Sequence, residues 1–396
     1  MKNVVLLGAT GSVGENTLKV LRKHSDKLNL IAIAAYKQFD KLASIAQEFD
    51  VKHIALIDPD AFIGASESSL FSRDQMLYAG IEGLMEISTL PEADIVIFGL
   101  SGTAGLKPAL AALEAGIDVA IANKEILVLG GSFLIQAAKN NNARILPVDS
   151  EHNAVFQCLE GVSDRSTISK VVLTASGGYF RDWPLEKLKD ATPKCATKHP
   201  NWNMGPKITV DCATMANKGL ELMEARWLFD LRPEQLDATL HPQSIIHALV
   251  QFVDGSVLSQ MSPASMTFPI QYSLFYPDRF PGATEGIDLA SFYSLQLSPI
   301  DSARYPCFFI AKNAMESGGA YPEAFNAANE IAVQAFLKTQ IGFLDIPRVI
   351  EAVLENPIFS TSARSLKEAL EIDQQARLLA KEEVCGLKEK ASIMIK

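Results

Sequence analysis

From residue 1 to about 148 the chain alternates short β-rich apolar runs with helical patterns, and nothing else in the sequence limits its folding as strongly. VVLLG, LIAIAAY, HIALID, DIVIFG, IDVAIA and RILPV read as strands with helical periodicity between them. Consecutive strands joined through helices pair in parallel, because a parallel neighbour needs a long crossover, and the helices then cover both faces of the sheet. PEADIVIFGLSGTAGLKPALAALEAGIDVAIANKE contains one complete βαβ unit.

Directly after the first strand, GATGSVGENTLKVL places Gly8, Gly11 and Gly14 at three-residue intervals before a helix. Glycine lets backbone approach a pyrophosphate closely, and the helix N-terminus offers free N–H groups and a positive dipole end. The triplet alone is a weak signal; between a first strand and a helix of a βαβ pattern it favours a nucleotide site over a mere tight turn. The second strand ends Tyr36-Lys37-Gln38, with no acid to bond a ribose 2′-hydroxyl. Lys37 is suited to a 2′-phosphate and Tyr36 to stacking on adenine, so NADP(H) is the expected cofactor. Asn123, Lys124 and Glu125 follow a buried strand, where parallel sheets present ligand-contacting groups; a helix cap by Asn123 with a surface Lys–Glu pair explains them equally well.

Beyond residue 151 the rhythm changes. VVLTAS is a strand, HPNWNMGP a broken loop, CATMANKGLELMEARWLF a helix, and Asp254-Gly255 the turn of a hairpin within IIHALVQFVDGSVLSQM. YPDRFPGATEGIDLASFYSLQLSP is punctuated by Pro and Gly, and helical patterns dominate after it. The expected fold is α/β overall: a Rossmann-like parallel-sheet domain (1–149), an α+β catalytic domain with metal site and lid (150–275), a linker (276–301) and a C-terminal helical domain (302–396).

A chain of 396 residues, 48% hydrophobic and 21% charged, has the composition of a multidomain globular protein. With 46 acidic against 36 basic residues the net charge is −10, so nucleic acid is an unfavourable partner. Five scattered cysteines without a C-x-x-C pair argue against a disulfide framework or a thiolate zinc site and fit a reducing compartment. Met1-Lys2-Asn3 runs straight into the first strand, and the longest nearly uncharged stretch, ILVLGGSFLIQAA, is too short to span a bilayer. A cytoplasmic location and no membrane partner are expected.

The chemistry concentrates at LPVDSEHNAVF. Asp149 and Glu151 are two residues apart at a strand exit, where both carboxylates project to one side and either repel, share a proton or take up a cation. The same four residues also read as a helix start capped by Ser150, with acids in the first turn. NKGLE supplies a possible partner: Asn217 and Glu221 lie at i and i+4 on one helix face, beside Lys218. A third carboxylate with a cation and an amide would complete an oxygen-only site for Mg²⁺ or Mn²⁺. Ser176-Gly177-Gly178 can form a nest of backbone N–H groups for a phosphate, and the loop around His199 and Trp202 can close over a ligand. Each also has a plain structural reading, a loop turn or a Trp packed on its own domain.

Taken together, GATGSVG, IANKE, LPVDSEHNA, TASGG, HPNWNMG, ATMANKGLE, HPQSIIHALV and NAANE, in this order over essentially the whole chain, resemble the 1-deoxy-D-xylulose 5-phosphate reductoisomerase family. The resemblance implies an NADPH-dependent and divalent-metal-dependent enzyme, likewise a homodimer, that rearranges and reduces a phosphorylated sugar for isoprenoid synthesis. It implies metal ligation by Asp149, Glu151 and Glu221. Substrate contacts fall on Ser150, Glu151, Ser176, His199, Cys212, Asn217, Lys218 and Glu221, with Lys124 beside the substrate and in the catalytic set. Cofactor contacts fall on Thr10, Gly11, Ser12, Val13, Tyr36, Lys37, Gln38, Asn123, Glu125 and Gly205. Trp202 rides on the lid, and His152 and His247 match family histidines near the site.

The sequence departs from the family at several of these positions. Cys212 stands where a phosphate-binding Ser is usual, and a thiol is a weaker donor than a hydroxyl. Tyr36 and Gln38 flank Lys37 in place of a small residue and Asn, Tyr179 replaces a Pro, and Pro206 replaces a basic residue.

Overall fold

The computed structural model describes residues 1–202 and 204–394; Asn203 of the HPNWNMG loop lies outside the described residues. Contacts group the chain into two compact units. The first is Met1–Ile126, Gly131–Asn153 and Ser265–Gly286; the second is Leu127–Gly130, Ala154–Ala264 and Ile287–Lys396.

In chain order, β1 (Lys2–Leu7), α1 (Ser12–Lys23), β2 (Leu28–Ala35), α2 (Phe39–Glu48), β3 (His53–Leu56), α3 (Pro59–Glu67) and β4 (Met76–Ala79) open the first unit. It continues with α4 (Gly80–Ser88), β5 (Ile95–Phe98), α5 (Leu106–Glu114), β6 (Asp118–Ile121), α6 (Lys124–Asn140), β7 (Ile145–Pro147) and the first turn of α7 (Ser150–Cys158). The seven strands order as β4-β3-β2-β1-β5-β6-β7, all pairs parallel. Val4 to Leu7 and Ile95 to Phe98 are wholly buried, as a sheet covered on both faces requires. The strand order reverses between β1 and β5, and ligands of such sheets bind at that switch point, outside the carboxyl ends of the strands.

The glycine turn sits there. Gly8 has φ +90°, and a Cβ on it would lie 2.6 Å from the Gly99 carbonyl oxygen at the end of β5. A Cβ on Gly14 would meet the carbonyl oxygens of Gly8 and Ala9 at 2.4 Å, so only glycine lets α1 seat this closely on the turn. The six strands expected from the sequence all form. β4 is the one missed in this sheet: a short edge strand with no residue fully buried, it carries no apolar alternation.

The second unit holds β8 (Ile168–Ala175), α8 (Pro193–Ala196), α9 (Pro206–Thr214), α10 (Ala216–Phe229), β9 (Leu236–Leu240), β10 (Ile246–Phe252) and β11 (Val257–Met261). Its sheet runs β11-β10-β8-β9, with the β10–β11 hairpin turning at Asp254-Gly255 as expected and Gly255 at φ +86°. Helix α11 (Thr267–Phe275) belongs to the first unit, where it packs on α1. α12 (Pro306–Ser317), α13 (Tyr321–Leu337), α14 (Asp345–Leu354) and α15 (Leu366–Met394) complete the second unit and share one apolar core with its sheet.

One helix expected from the sequence is two. Met215 adopts φ +63°, closing α9 with its own N–H on the Cys212 carbonyl and restarting the chain as α10. The apolar pattern at Leu222, Ala225, Leu228 and Phe229 indicates a helix with one apolar face, yet residues 216–225 are all buried, charged ones included. Gly219 explains how: a Cβ there would come within 2.3 Å of Ala311 Cβ, so glycine allows α10 to press against α12. Among the described residues no helix is long and apolar enough to cross a membrane.

Candidate active site

The first unit gathers its functional side chains at the carboxyl ends of its strands. Thr10, Gly11, Ser12 and Val13 follow β1, and Gly11 is the N-cap of α1, so the first amides of that helix face outward. The Thr10 carbonyl accepts from Lys41 Nζ at 2.9 Å. Tyr36, Lys37 and Gln38 end β2 exposed to solvent, Gln38 being the N-cap of α2.

Asn123, Lys124 and Glu125 leave β6 buried. Asn123 is a cap: its Oδ1 accepts from the Glu125 N–H at 3.0 Å, and its Nδ2 donates to the Leu100 carbonyl at 2.7 Å and to that of Gly102. Lys124 and Glu125, however, are no surface pair. The Lys124 side chain is only 5% exposed, and its Nζ reaches Asp149 Oδ2 at 2.7 Å.

Helix α7 begins at Ser150, so the capping position belongs to Asp149 and not, as the sequence favoured, to Ser150. The Asp149 carbonyl accepts from the Asn153 N–H at 2.8 Å. Ser150 instead donates its hydroxyl to Glu151 Oε2. Asn153, which sequence reasoning passed over, underpins this loop: its Nδ2 and the Ser273 hydroxyl both donate to the Pro147 carbonyl at 2.8 Å. Ser273 comes from α11, 126 residues downstream, and no local pattern links the two.

In the second unit, Asn217, Lys218 and Glu221 share the first turns of α10. Glu221 is 1% exposed; Asn217 Nδ2 donates to its Oε1 at 2.5 Å and Lys218 Nζ to its Oε2. A carboxylate taken this far out of water is sustained by the cation and amide of its own helix. Asn217 Oδ1 is enclosed with no hydrogen-bond partner among the described residues, an acceptor left over for a ligand.

Ser176-Gly177-Gly178 leaves β8 as a nest. Gly177 and Gly178 both have positive φ, +80° and +67°, and a Cβ on Gly178 would strike the Ala213 backbone of α9 at 2.6 Å. Arg181 Nη1 donates to the Ser176 carbonyl at 2.9 Å and Tyr305 OH to the Gly177 carbonyl at 3.0 Å, so the nest's oxygens are tied away. Neither residue was foreseen from sequence; Tyr305 lies 128 positions away. His199 Nε2 is 2.9 Å from Ser176 Oγ. A cavity of about 620 Å³ opens beside the nest, lined by Gly178, His199, Trp202 and Thr209 among others.

Cys212 lies half-buried on α9. Gly205 is exposed as the N-cap of that helix, with Pro206 at its first position. His152 is wholly buried, and His247 is buried with its Nε2 3.1 Å from the Ser262 carbonyl and its ring against that of Trp202. All five cysteines are free thiols.

A parallel sheet with a glycine turn at its switch point, joined to a unit that holds a buried lysine–carboxylate pair and a backbone nest, has the make-up of a dinucleotide-linked oxidoreductase. Models of 1-deoxy-D-xylulose 5-phosphate reductoisomerase match residues 4–131, those of its C-terminal domain residues 145–229, and those of the DXP reductoisomerase C-terminal domain residues 261–379. The chain belongs to the 1-deoxy-D-xylulose 5-phosphate reductoisomerase family, as its motifs led us to expect. It is 46% identical to the reductoisomerase of Geobacillus sp. (strain WCH70), over 95% of this chain and 98% of that one. With that of Paraburkholderia xenovorans (strain LB400) it shares 44% identity over 98% of both.

Solved structures agree. A DOX-P reductoisomerase in complex with NADPH, fosmidomycin and magnesium superposes with a TM-score of 0.93 at 38% identity, covering 98% of this chain and 99% of the other. The Zymomonas mobilis enzyme in complex with NADPH gives 0.89 at 38% identity, covering 97% and 99%.

Proposed function

We propose that this protein carries out the NADPH-dependent and divalent-metal-dependent rearrangement and reduction of 1-deoxy-D-xylulose 5-phosphate to 2-C-methyl-D-erythritol 4-phosphate, a step of non-mevalonate isoprenoid biosynthesis. The observation that carries this reading is the buried trio Asn217, Lys218 and Glu221, a charged arrangement whose cost is justified by chemistry and not by packing. Solved relatives bound to NADPH, magnesium and fosmidomycin support it.

The donor set fits the cation: Asp149, Glu151 and Glu221 offer hard carboxylate oxygens and no thiolate, as Mg²⁺ or Mn²⁺ requires. We assign these three as its ligands, and bound there the cation would act as a Lewis acid toward the substrate's carbonyl and neighbouring hydroxyl oxygens. Lys124 and Lys218 hold positive potential beside those carboxylates and neutralise charge that develops during a retro-aldol/aldol rearrangement. Ser150 and Glu151 orient the substrate's polar end. The nest at Ser176, with Cys212, Asn217 and Lys218, receives the phosphate, and His199 borders it through Ser176.

NADPH supplies the hydride when bound along Thr10, Gly11, Ser12 and Val13. Its 2′-phosphate is assigned to Lys37 between Tyr36 and Gln38, and its nicotinamide end to Asn123, Glu125 and Gly205. The lid bearing Trp202 excludes water. The division expected from sequence (cofactor binding in 1–149, chemistry in 150–275, a linker at 276–301 and helices after it) holds for most of these roles, but Lys124 and Asp149 bring chemistry into the first segment and Gly205 brings cofactor binding into the second.

We further propose a homodimer in the cytoplasm. In the second unit the edge strand β11 leaves Val257, Leu258 and Met261 exposed, an apolar edge that strand addition from a second copy would cover.

Following NADPH absorbance with 1-deoxy-D-xylulose 5-phosphate tests the activity. Oxidation is expected with Mg²⁺ or Mn²⁺ and not after chelation, and with NADPH in preference to NADH. Metal-independent oxidation, or none, would overturn it.

A further inference from the structure

Two histidines of the second unit are clamped by pairs of backbone amides. His241 Nε2 accepts from the N–H groups of Ile245 and Ile246, each at 3.1 Å. Its other nitrogen, 2.8 Å from the Gln296 carbonyl, must then carry the proton and donate it. That ring is wholly buried and ends on backbone at both nitrogens, which makes it a structural rivet.

His199 uses the same clamp the other way round. Its Nδ1 accepts from the N–H groups of Asn201 at 3.2 Å and Trp202 at 3.0 Å, so the neutral ring is the Nε2–H tautomer. Nε2 then donates to Ser176 Oγ, which also accepts from the Gly178 N–H at 3.2 Å. A serine oxygen has two acceptor sites and one proton. With both acceptor sites filled, the Ser176 hydroxyl can only donate, which suits a phosphate oxygen and no hydrogen-bond donor. In the opposite tautomer Ser176 would spend its proton on the ring, and the Asn201 and Trp202 amides would face an N–H.

The lid backbone therefore determines which way the phosphate-binding hydroxyl points. Asn201 adds to the clamp: its Nδ2 donates to the Pro242 carbonyl at 2.7 Å and to Ser244 Oγ at 2.8 Å, anchoring the segment that presents the two amides. The nest end is equally fixed by Gly178 against Ala213. Ring, hydroxyl and indole all border the same cavity or its nest.

We propose that His199 is a positioning residue that couples the lid segment Asn201–Trp202 to the phosphate nest, its amide-fixed Nε2–H tautomer turning Ser176 into an obligate donor to the substrate's phosphate. The proposal rests on the functional reading above for the identity of the ligand, but the tautomer is a property of the protein alone.

Two conservative variants separate the two ends of the ring. His199→Asn keeps an acceptor near the Nδ1 position and cannot reach Ser176; His199→Gln reaches Ser176 and leaves the amides unmatched. The first is expected to raise KM for 1-deoxy-D-xylulose 5-phosphate about ten-fold with kcat nearly unchanged, the second to lower kcat about ten-fold with KM nearly unchanged. Ser176→Ala added to His199→Asn should raise KM little further, because both remove one interaction. Additive effects, or two indistinguishable variants, overturn the coupling. Histidine ¹⁵N spectra of the intact protein, with the His199 signal assigned by its loss in His199→Asn, should show Nε2–H and unprotonated Nδ1. The opposite tautomer overturns the proposal even if turnover is normal, and the expected one sustains it even if the substrate proves to be another.

Discussion

Glu221 on α10 and Glu323 on α13 are both enclosed glutamates of the second unit, and the fold treats them in opposite ways. Glu221 has Lys218 and Asn217 on its own helix, three and four residues earlier, each bonded to one of its oxygens. Glu323 has no such side-chain companion: its Oε2 is enclosed without a hydrogen-bond partner, burial pushes its carboxyl up to about 7, and a bond from its own backbone N–H and the field of Arg226 offset that only in part. A charge that the fold takes out of water and supplies with a cation is a built site. An acid taken out of water without one is left to keep its proton near neutrality.

The sharpest way to break this contrast is Glu221→Gln, which keeps volume and removes the charge. Turnover with metal present should fall roughly 10²- to 10³-fold, the scale of losing one pre-organised electrostatic group. NADPH binding, measured by fluorescence titration, should be unchanged. Wild-type turnover in this variant would put Glu221 on the same footing as Glu323.

Removing the cation is the next test. Lys218→Met removes the cation bonded to the buried Glu221 carboxylate, at a cost on the order of 3 kcal/mol in unfolding free energy. Adding Glu221→Gln should recover most of that loss in denaturant melts, since the stranded charge disappears with it. A double variant as unstable as the two losses summed would mean that the pair is packing and not electrostatics.

Glu221 lies in the NKGLE motif and Glu323 three residues before NAANE, and their difference is only partly visible there. The i, i+4 spacing of Asn217 and Glu221 places the amide and the acid on one face from sequence alone. Their burial is not visible, because it depends on Gly219 meeting Ala311 on α12, and on Met215 breaking one helical pattern into two. The Rossmann-like unit was the most legible part, since parallel strands buried on both faces announce themselves as apolar runs. Only the exposed edge strand β4 escaped that signal. Tyr305, Asn153 and Ser273, which hold the two functional loops in place, act across more than 100 residues and leave no periodic trace. Asp149 was visible as an acid at a strand exit, but its cap role turned on a one-residue shift of the helix start, below what pattern reading resolves.

The smallest effect belongs to Glu323, and it shows in stability as a function of pH and not in turnover. Its carboxyl ordinarily titrates near 4.5 and is raised in the folded protein to about 7. The folded state therefore binds a proton that the unfolded chain has already released between those values. Stability from this group is full below about pH 4.5 and is lost as pH rises through about 7. A shift of this size corresponds to at most about 3 kcal/mol, and water reaching a partly enclosed carboxyl cuts that to roughly half. Glu323→Gln cannot ionise, so its unfolding free energy should match wild type near pH 4 and exceed it near pH 8 by about 1 to 2 kcal/mol. Equal stabilities at both pH values would show that Glu323 has a counter-charge after all, and the contrast with Glu221 would then rest on hydrogen bonding alone.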